Sequence, residues 1–175
     1  LNIVRSKYEI DTSLFENTLS DAFDGDFGQG TISHTSFINC GNDGIDISGS
    51  QIEVNDIYIR NAGDKGISVG ENSNMIGNNI TIIDSEIGIA SKDFSDIKLS
   101  NVNLNKINTG FTAFQKKPEF GPALISAVDV KMNDVKVPLL NERGSTIIIN
   151  GERIEMVHDK VKEILYGPVY GKSNK

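Results

Sequence analysis

Short runs of alternating apolar and polar residues recur along this chain at a fixed interval. Ile45 and Ile47, then Ile52 and Val54, then Ile57 and Ile59 mark three strands of period two, separated by Gly, Ser, Asn or Asp. A small residue followed by an apolar one appears at Ala22-Phe23, Gly44-Ile45, Gly66-Ile67, Gly88-Ile89 and Gly110-Phe111, every 22 residues. Phe15, Phe37 and Ile59 keep the interval, then slip by one to Ile82 and Leu104. Ile10, Ile32, Val54 and Ile76 give a further column, and Cys40 shares one with Thr18 and Ala62. Asn17, Asn39 and Asn61 stand in front of the turns, and Asn105 keeps the same distance from its own Gly. Asn tolerates left-handed backbone and can bond a stacked neighbour's amide, so a ladder of such residues is expected at a repeated corner.

Three short strands cannot bury a face alone. Stacked coils can, because each strand then pairs in parallel with its equivalent one coil on, about 4.8 Å away. The pattern therefore predicts an all-β solenoid of about six to seven coils over residues 1–150. A leucine-rich repeat would need a Leu-x-x-Leu-x-Leu skeleton, which is lacking. Ile154, Val157, Val161, Ile164 and Leu165 are spaced for one helical face, stopped by Gly167-Pro168, so residues 151–167 are expected to form a helix capping the last coil. Residues 168–175 read as a loose tail. An uncapped first coil would expose strand edges, so further coils are expected ahead of Leu1. The stretch Gln115–Pro122 is too long for the repeat and is expected to bulge from the wall as a loop.

Composition narrows the partners. The net charge of −7 is uneven: residues 1–96 carry a balance of −11 and residues 97–175 a balance of +4. The acidic front argues against nucleic acid, and against acidic polysaccharide unless a divalent cation bridges the two. No apolar run approaches the roughly 18 residues of a membrane span. The single Cys40 excludes an internal disulfide.

The stretch Asn42-Asp43-Gly44-Ile45-Asp46-Ile47, followed one coil on by Gly63-Asp64-Lys65-Gly66-Ile67-Ser68-Val69-Gly70, resembles the pectate-lyase-like superfamily of right-handed parallel β-helices. It is nearest in texture to the right-handed β-helix repeat proteins of bacterial surfaces. The resemblance implies a right-handed coil, an extracellular or cell-surface bacterial location, and a polysaccharide or cell-envelope component as partner. Polygalacturonases of the superfamily carry an Asn-Thr-Asp motif and then a Gly-Asp-Asp motif. Asp43 falls on the Asp of the first and Asp64 on the first Asp of the second, but Lys65 replaces the second Asp. The later Gly-His-Gly and Arg-Ile-Lys motifs have no counterpart, and neither His34 nor His158 lies in place.

The period puts Asp21, Asp43 and Lys65 in one outward column and Asp24, Asp46 and Ser68 in another. Stacked carboxylates repel, which raises a pKa and offers two uses. Asp43, Asp46 and Asp64 are the candidates for cleaving a glycosidic bond, which takes one protonated and one ionised carboxyl. No cofactor is expected; were one held it would be Ca²⁺, with Asp21, Asp24, Asp26, Asp43 and Asp46 as the candidate ligands. Against both stands the simpler expectation that Lys65 balances the column and the acids cap turns. Tyr58 and Arg60, outward on one strand, with Lys65 and the loop residues Lys116, Lys117 and Phe120, are the candidate ligand contacts. The incomplete motif set favours a non-catalytic surface, scaffold or carbohydrate-binding module. A polysaccharide hydrolase, lyase or epimerase is the alternative, and a trimeric virus spike a more distant third.

Overall fold

The computed structural model describes residues 1–167. Twelve strands run β1 (Asn2–Val4), β2 (Lys7–Asp11), β3 (Leu14–Thr18), β4 (Phe23–Asp26), β5 (Gln29–Cys40), β6 (Ile45–Ser48), β7 (Gln51–Gly70), β8 (Asn74–Lys92), β9 (Asp96–Phe114), β10 (Leu124–Asn141), β11 (Thr146–Ile149) and β12 (Glu152–Arg153), followed by one helix, α1 (Val161–Tyr166). The longer strands bend around corners, so each coil contributes to three parallel sheets. Sheet one contains residues 2–4, 23–26, 45–48 and 65–70 and continues through the ends of β8, β9 and β10. Sheet two runs from β2 through 29–33, 51–55, 74–78, 96–100 and 124–128 to β11. Sheet three runs from β3 through 35–40, 57–62, 80–85 and 102–107 to 130–135. The result is a parallel β-solenoid of about seven turns.

The interior is a set of in-register stacks. Phe23 pairs with Ile45, Ile45 with Ile67, Ile67 with Ile89, and Ile89 with Phe111, all parallel and all wholly buried. Phe15 and Phe37 stack with ring centroids 5.0 Å apart. Burying one such side chain is worth roughly 1.5–3 kcal/mol, and each touches its equivalents above and below, so the core is continuous.

The corners are turned by residues with positive φ. Asn17, Asn39 and Asn61 sit at φ 56°, 55° and 58°, and each later side chain donates to the one before it at 2.9 and 3.0 Å. That ladder passes next to Asp84 and Lys106, which take the same backbone conformation, and not to Asn105. A second amide ladder joins Asn101 to Asn79 at 3.0 Å.

Three expectations need correction. One extra residue lies between Gly70 and Asn74, so sheets two and three slip to a spacing of 23 there. The slip places Gly77, not Ile76, over Val54, and Ile76 is 57 % exposed. The expected helix over 151–167 is only Val161–Tyr166, because Asn150 and Gly151 turn the chain back at φ 53° and 84° into β12, antiparallel to β11. Nor does α1 cap the end. It lies on the outer side of sheet one, where Val161 and Leu165 pack with Ile87, Ala90, Phe114 and Leu140, while Ile154 packs against the main core. The expected tail, residues 168–175, lies outside the described residues. The expected loop is present: sheet two spaces Asp96 and Leu124 by 28 residues rather than 22.

Candidate functional site

The outward side of sheet one is built from columns 22 residues apart. One column starts at Asp43 and Lys65 and continues as Ile87 and Thr109. A second runs Asp24, Asp46, Ser68, Ala90 and Thr112. The front of this face is therefore acidic and the rear is small or apolar, which gives α1 a seat. From that seat Tyr166 reaches Lys65 of the first column and Lys116 of the 115–123 loop.

The first column is held by carboxylates that cap the next coil. Asp21 accepts the Asp43 backbone N–H at 2.9 Å and the Asn42 amide at 2.7 Å. Asp43 accepts the Lys65 backbone N–H at 3.0 Å. The Lys65 ammonium stands between two carboxylates, 3.3 Å from both oxygens of Asp43 and 2.5 Å from Asp64. All three side chains are buried: Asp43 is 2 %, Lys65 3 % and Asp64 6 % exposed. The Tyr166 ring centroid lies 5.9 Å from the same ammonium and 5.8 Å from that of Lys116.

Burial pushes the Asp43 carboxyl up to about 6, against the pull of Lys65. Burial opposes the charge of Lys65 as well, but attraction from Asp43, Tyr166 and Asp64 outweighs it and holds the ammonium protonated. Both values are raised: burial dominates at Asp43, while at Lys65 the neighbouring groups together outweigh burial. Geometry favours the charged lysine, whose ammonium has a carboxylate oxygen on either side. Tyr166 is raised to about 12 by burial.

Beside this group lies a second buried lysine, absent from the candidates drawn from the sequence. Lys92 donates to the Ser68 hydroxyl at 2.7 Å and lies 3.8 Å from Asp46. Burial lowers its pKa. The same period marks its place, since 26, 48, 70 and 92 form one column, and Gly70 leaves room for its stem. Burial, and then the neighbouring Asp46, raise Asp26; burial also raises Asp24.

This arrangement differs from the catalytic expectation. Glycosidic cleavage by Asp43, Asp46 and Asp64 requires two carboxyls facing a sugar across open space. Here a lysine fills the space between Asp43 and Asp64, and Asp46 faces Lys92. Nor do Asp21, Asp24, Asp26, Asp43 and Asp46 gather around a point. Among the described residues no group of three or more His, Cys, Asp or Glu is placed to hold a metal ion. The reason is the coil: in-register columns spread side chains into a lattice about 4.8 Å by 7 Å rather than converging them.

The expected ligand contacts do not form one surface. Tyr58 and Arg60 belong to sheet three, around a corner from Asp43. Lys65 is consumed internally. In the loop, the Lys116 and Lys117 backbone N–H groups bond Asp93 at 2.7 and 2.8 Å, the Lys117 ammonium pairs with Glu71, and Phe120 meets Phe94 edge to face at 6.4 Å. His34 bridges Asp11 at 2.7 Å and Asp56 at 3.3 Å on the surface. No helix among the described residues is long and apolar enough to cross a membrane. Compared with known proteins, the chain matches no family model, no curated protein and no solved structure.

Proposed function

We propose that this chain is a non-catalytic β-helix module of a bacterial cell surface, related to the pectate-lyase-like superfamily, which presents its outer faces to carbohydrate or to other envelope components. The observation that carries the reading is Lys65. Its ammonium occupies the space a glycosidic oxygen would need, with Asp43 and Asp64 on either side and Tyr166 above. A stack of coils in hydrogen-bonded register is also stiff, which suits display along a rod.

Polysaccharide cleavage is the second reading, favoured by one feature only: an Asp43 carboxyl raised to about 6 is in the range of a general acid. The deciding experiment incubates the protein with a panel of neutral and uronic acid polysaccharides, with and without calcium, and measures new reducing ends and unsaturated products. No product is expected from any of them. Product that disappears in Asp43→Asn and Asp64→Asn would overturn the non-catalytic reading.

A further inference from the structure

The outer side of sheet two and the corner that leads to it carry an open groove. A trough of 490 Å³ is lined by Lys7, Gln29, Thr31, Gln51, Glu53 and Asn74. It continues into a hollow of 290 Å³ at the corner, bounded by Arg5, Phe27 and Gly49. Lys7, Gln29 and Gln51 line both. We propose that this groove binds an uncharged oligosaccharide lying across the first coils, with one pyranose ring stacked on Phe27; the inference rests on the non-catalytic display reading and supplies its ligand site.

Phe27 is the first reason. It is a large apolar residue, 56 % exposed, held in left-handed backbone at φ 53°. That conformation is unfavourable for a non-glycine residue and leaves the side chain outside the core. The next corner residue in the column is Gly49, and a Cβ there would stand 2.6 Å from the ring. The glycine thus clears the space the ring occupies. Arg5, one coil back, has its guanidinium 5.8 Å from the ring centroid and closes the far side. An exposed aromatic face of this kind matches the C–H face of a sugar ring.

The amide column is the second reason. Lys7, Gln29, Gln51 and Asn74 pair in register and so recur about every 4.8 Å along the groove. The ladder at Asn17, Asn39 and Asn61 spends its amides on one another. The Gln29, Gln51 and Asn74 side chains make no such bonds among the described residues. Each offers two donors and an acceptor to a hydroxyl-rich ligand. Thr31, Glu53 and Ile76 form the neighbouring outward column of the same sheet, two polar and one apolar.

Charge selects a neutral chain. Arg5 and Lys7 stand near one end, Glu53 lies on the wall, and the front half of the molecule carries a balance of −11, which disfavours an anionic glycan.

The test is calorimetric titration of the full chain with short cello-, xylo-, manno- and chito-oligosaccharides, beside an oligogalacturonate. One neutral series is expected to bind, with little dependence on salt. Phe27→Ala should weaken it about tenfold, Gln51→Ala severalfold, and Phe27→Tyr should restore it to near the native affinity. Asp43→Asn should leave it unchanged. Thermal melts check that the exposed Phe27→Ala and Gln51→Ala changes leave the fold intact. The inference is overturned if no neutral oligosaccharide binds at millimolar concentration, if Phe27→Ala binds as the native chain does, or if only the oligogalacturonate binds. Product appearing in the same mixtures would instead overturn the non-catalytic reading and leave the groove standing.

Discussion

The outer sides of sheet one and sheet two are made by the same coils from similar polar residues, yet they are used in opposite ways. On sheet one, Asp21, Asp43, Asp64, Lys65, Lys92 and Ser68 bond to one another or to the next coil, and the Tyr166 ring lies against the Lys65 ammonium. On sheet two, Gln29, Gln51 and Asn74 face solvent, and among the described residues their amides bond nothing. The difference comes from the chain beyond the last coil. The rear of sheet one offers Ile87, Ala90, Phe114 and Leu140 as a seat, α1 takes it, and the charges in front are buried as a consequence. A motif that looks catalytic in the sequence can therefore be a neutralised contact, while the face without a motif keeps its polar side chains in solvent.

The largest effect that could break this comparison is at Lys65. Lys65→Met should destabilise the fold by about 3–5 kcal/mol, because it leaves Asp43 and Asp64 buried without their cation. Chemical denaturation measures it. A loss under about 1 kcal/mol, the range of exposed ion pairs, would mean that the sheet one cluster is solvated, and the contrast with sheet two would fail.

A smaller effect comes from Asp43. Its folded pKa of about 6 lies above the ordinary carboxyl value of 3.8, so the protonated form is favoured by folding. This group therefore adds stability that is fully present below about pH 4 and is lost as the pH rises through about 6, a change on the order of 2–3 kcal/mol. Asp43→Asn should remove that component from the pH profile. Carboxyl NMR should show one resonance titrating near pH 6, as the folded value of about 6 requires; a midpoint at the ordinary carboxyl value would place Asp43 in water.

On the other face the effects are modest. Gly49→Ala should cost about 1–2 kcal/mol, since alanine must adopt φ 58° and its methyl group meets the Phe27 ring. The same change should shift the ring and weaken any ligand that stacks on it. A neutral melt would show that Phe27 moves freely and is not a fixed platform.

How much of this was legible in the residues depended on whether the information was periodic. The core columns from Phe23 to Phe111, the Asn corners and the surplus loop all emerge from counting by 22. The same count gives Lys92 its column, but a lysine in a mostly polar column carries no mark of its burial. The Lys65 contact with Asp43 was foreseeable, since they share a column. Its depth was not, because burial comes from α1, whose seat depends on Val161 and Leu165 packing with Ile87 and Ala90 from a distant part of the chain. Arg5, Phe27 and Gly49 are also 22 apart, but the exposure of Phe27 depends on its positive φ, and nothing in the spelling of a phenylalanine announces that.

The smallest predicted effect tests the slip itself. Counting by 22 from Val54 lands on Ile76, a β-branched residue well suited to the core, and passes over Gly77, which is not. The structure chooses Gly77 because Glu71, Asn72 and Ser73 turn the corner with one residue more than usual, two of them at positive φ. The space a side chain would take there is filled by its neighbours: a Cβ on Gly77 would stand 2.7 Å from both Ile80 and Leu99. Ile76→Thr should therefore change stability by less than about 0.5 kcal/mol, as for an exposed strand position, whereas Gly77→Ala should cost about 1–3 kcal/mol by overpacking. Denaturant melts of the two variants decide it. The reverse order would mean that the column keeps the spacing of 22 through this corner and that the extra residue is absorbed further along, beyond sheet two.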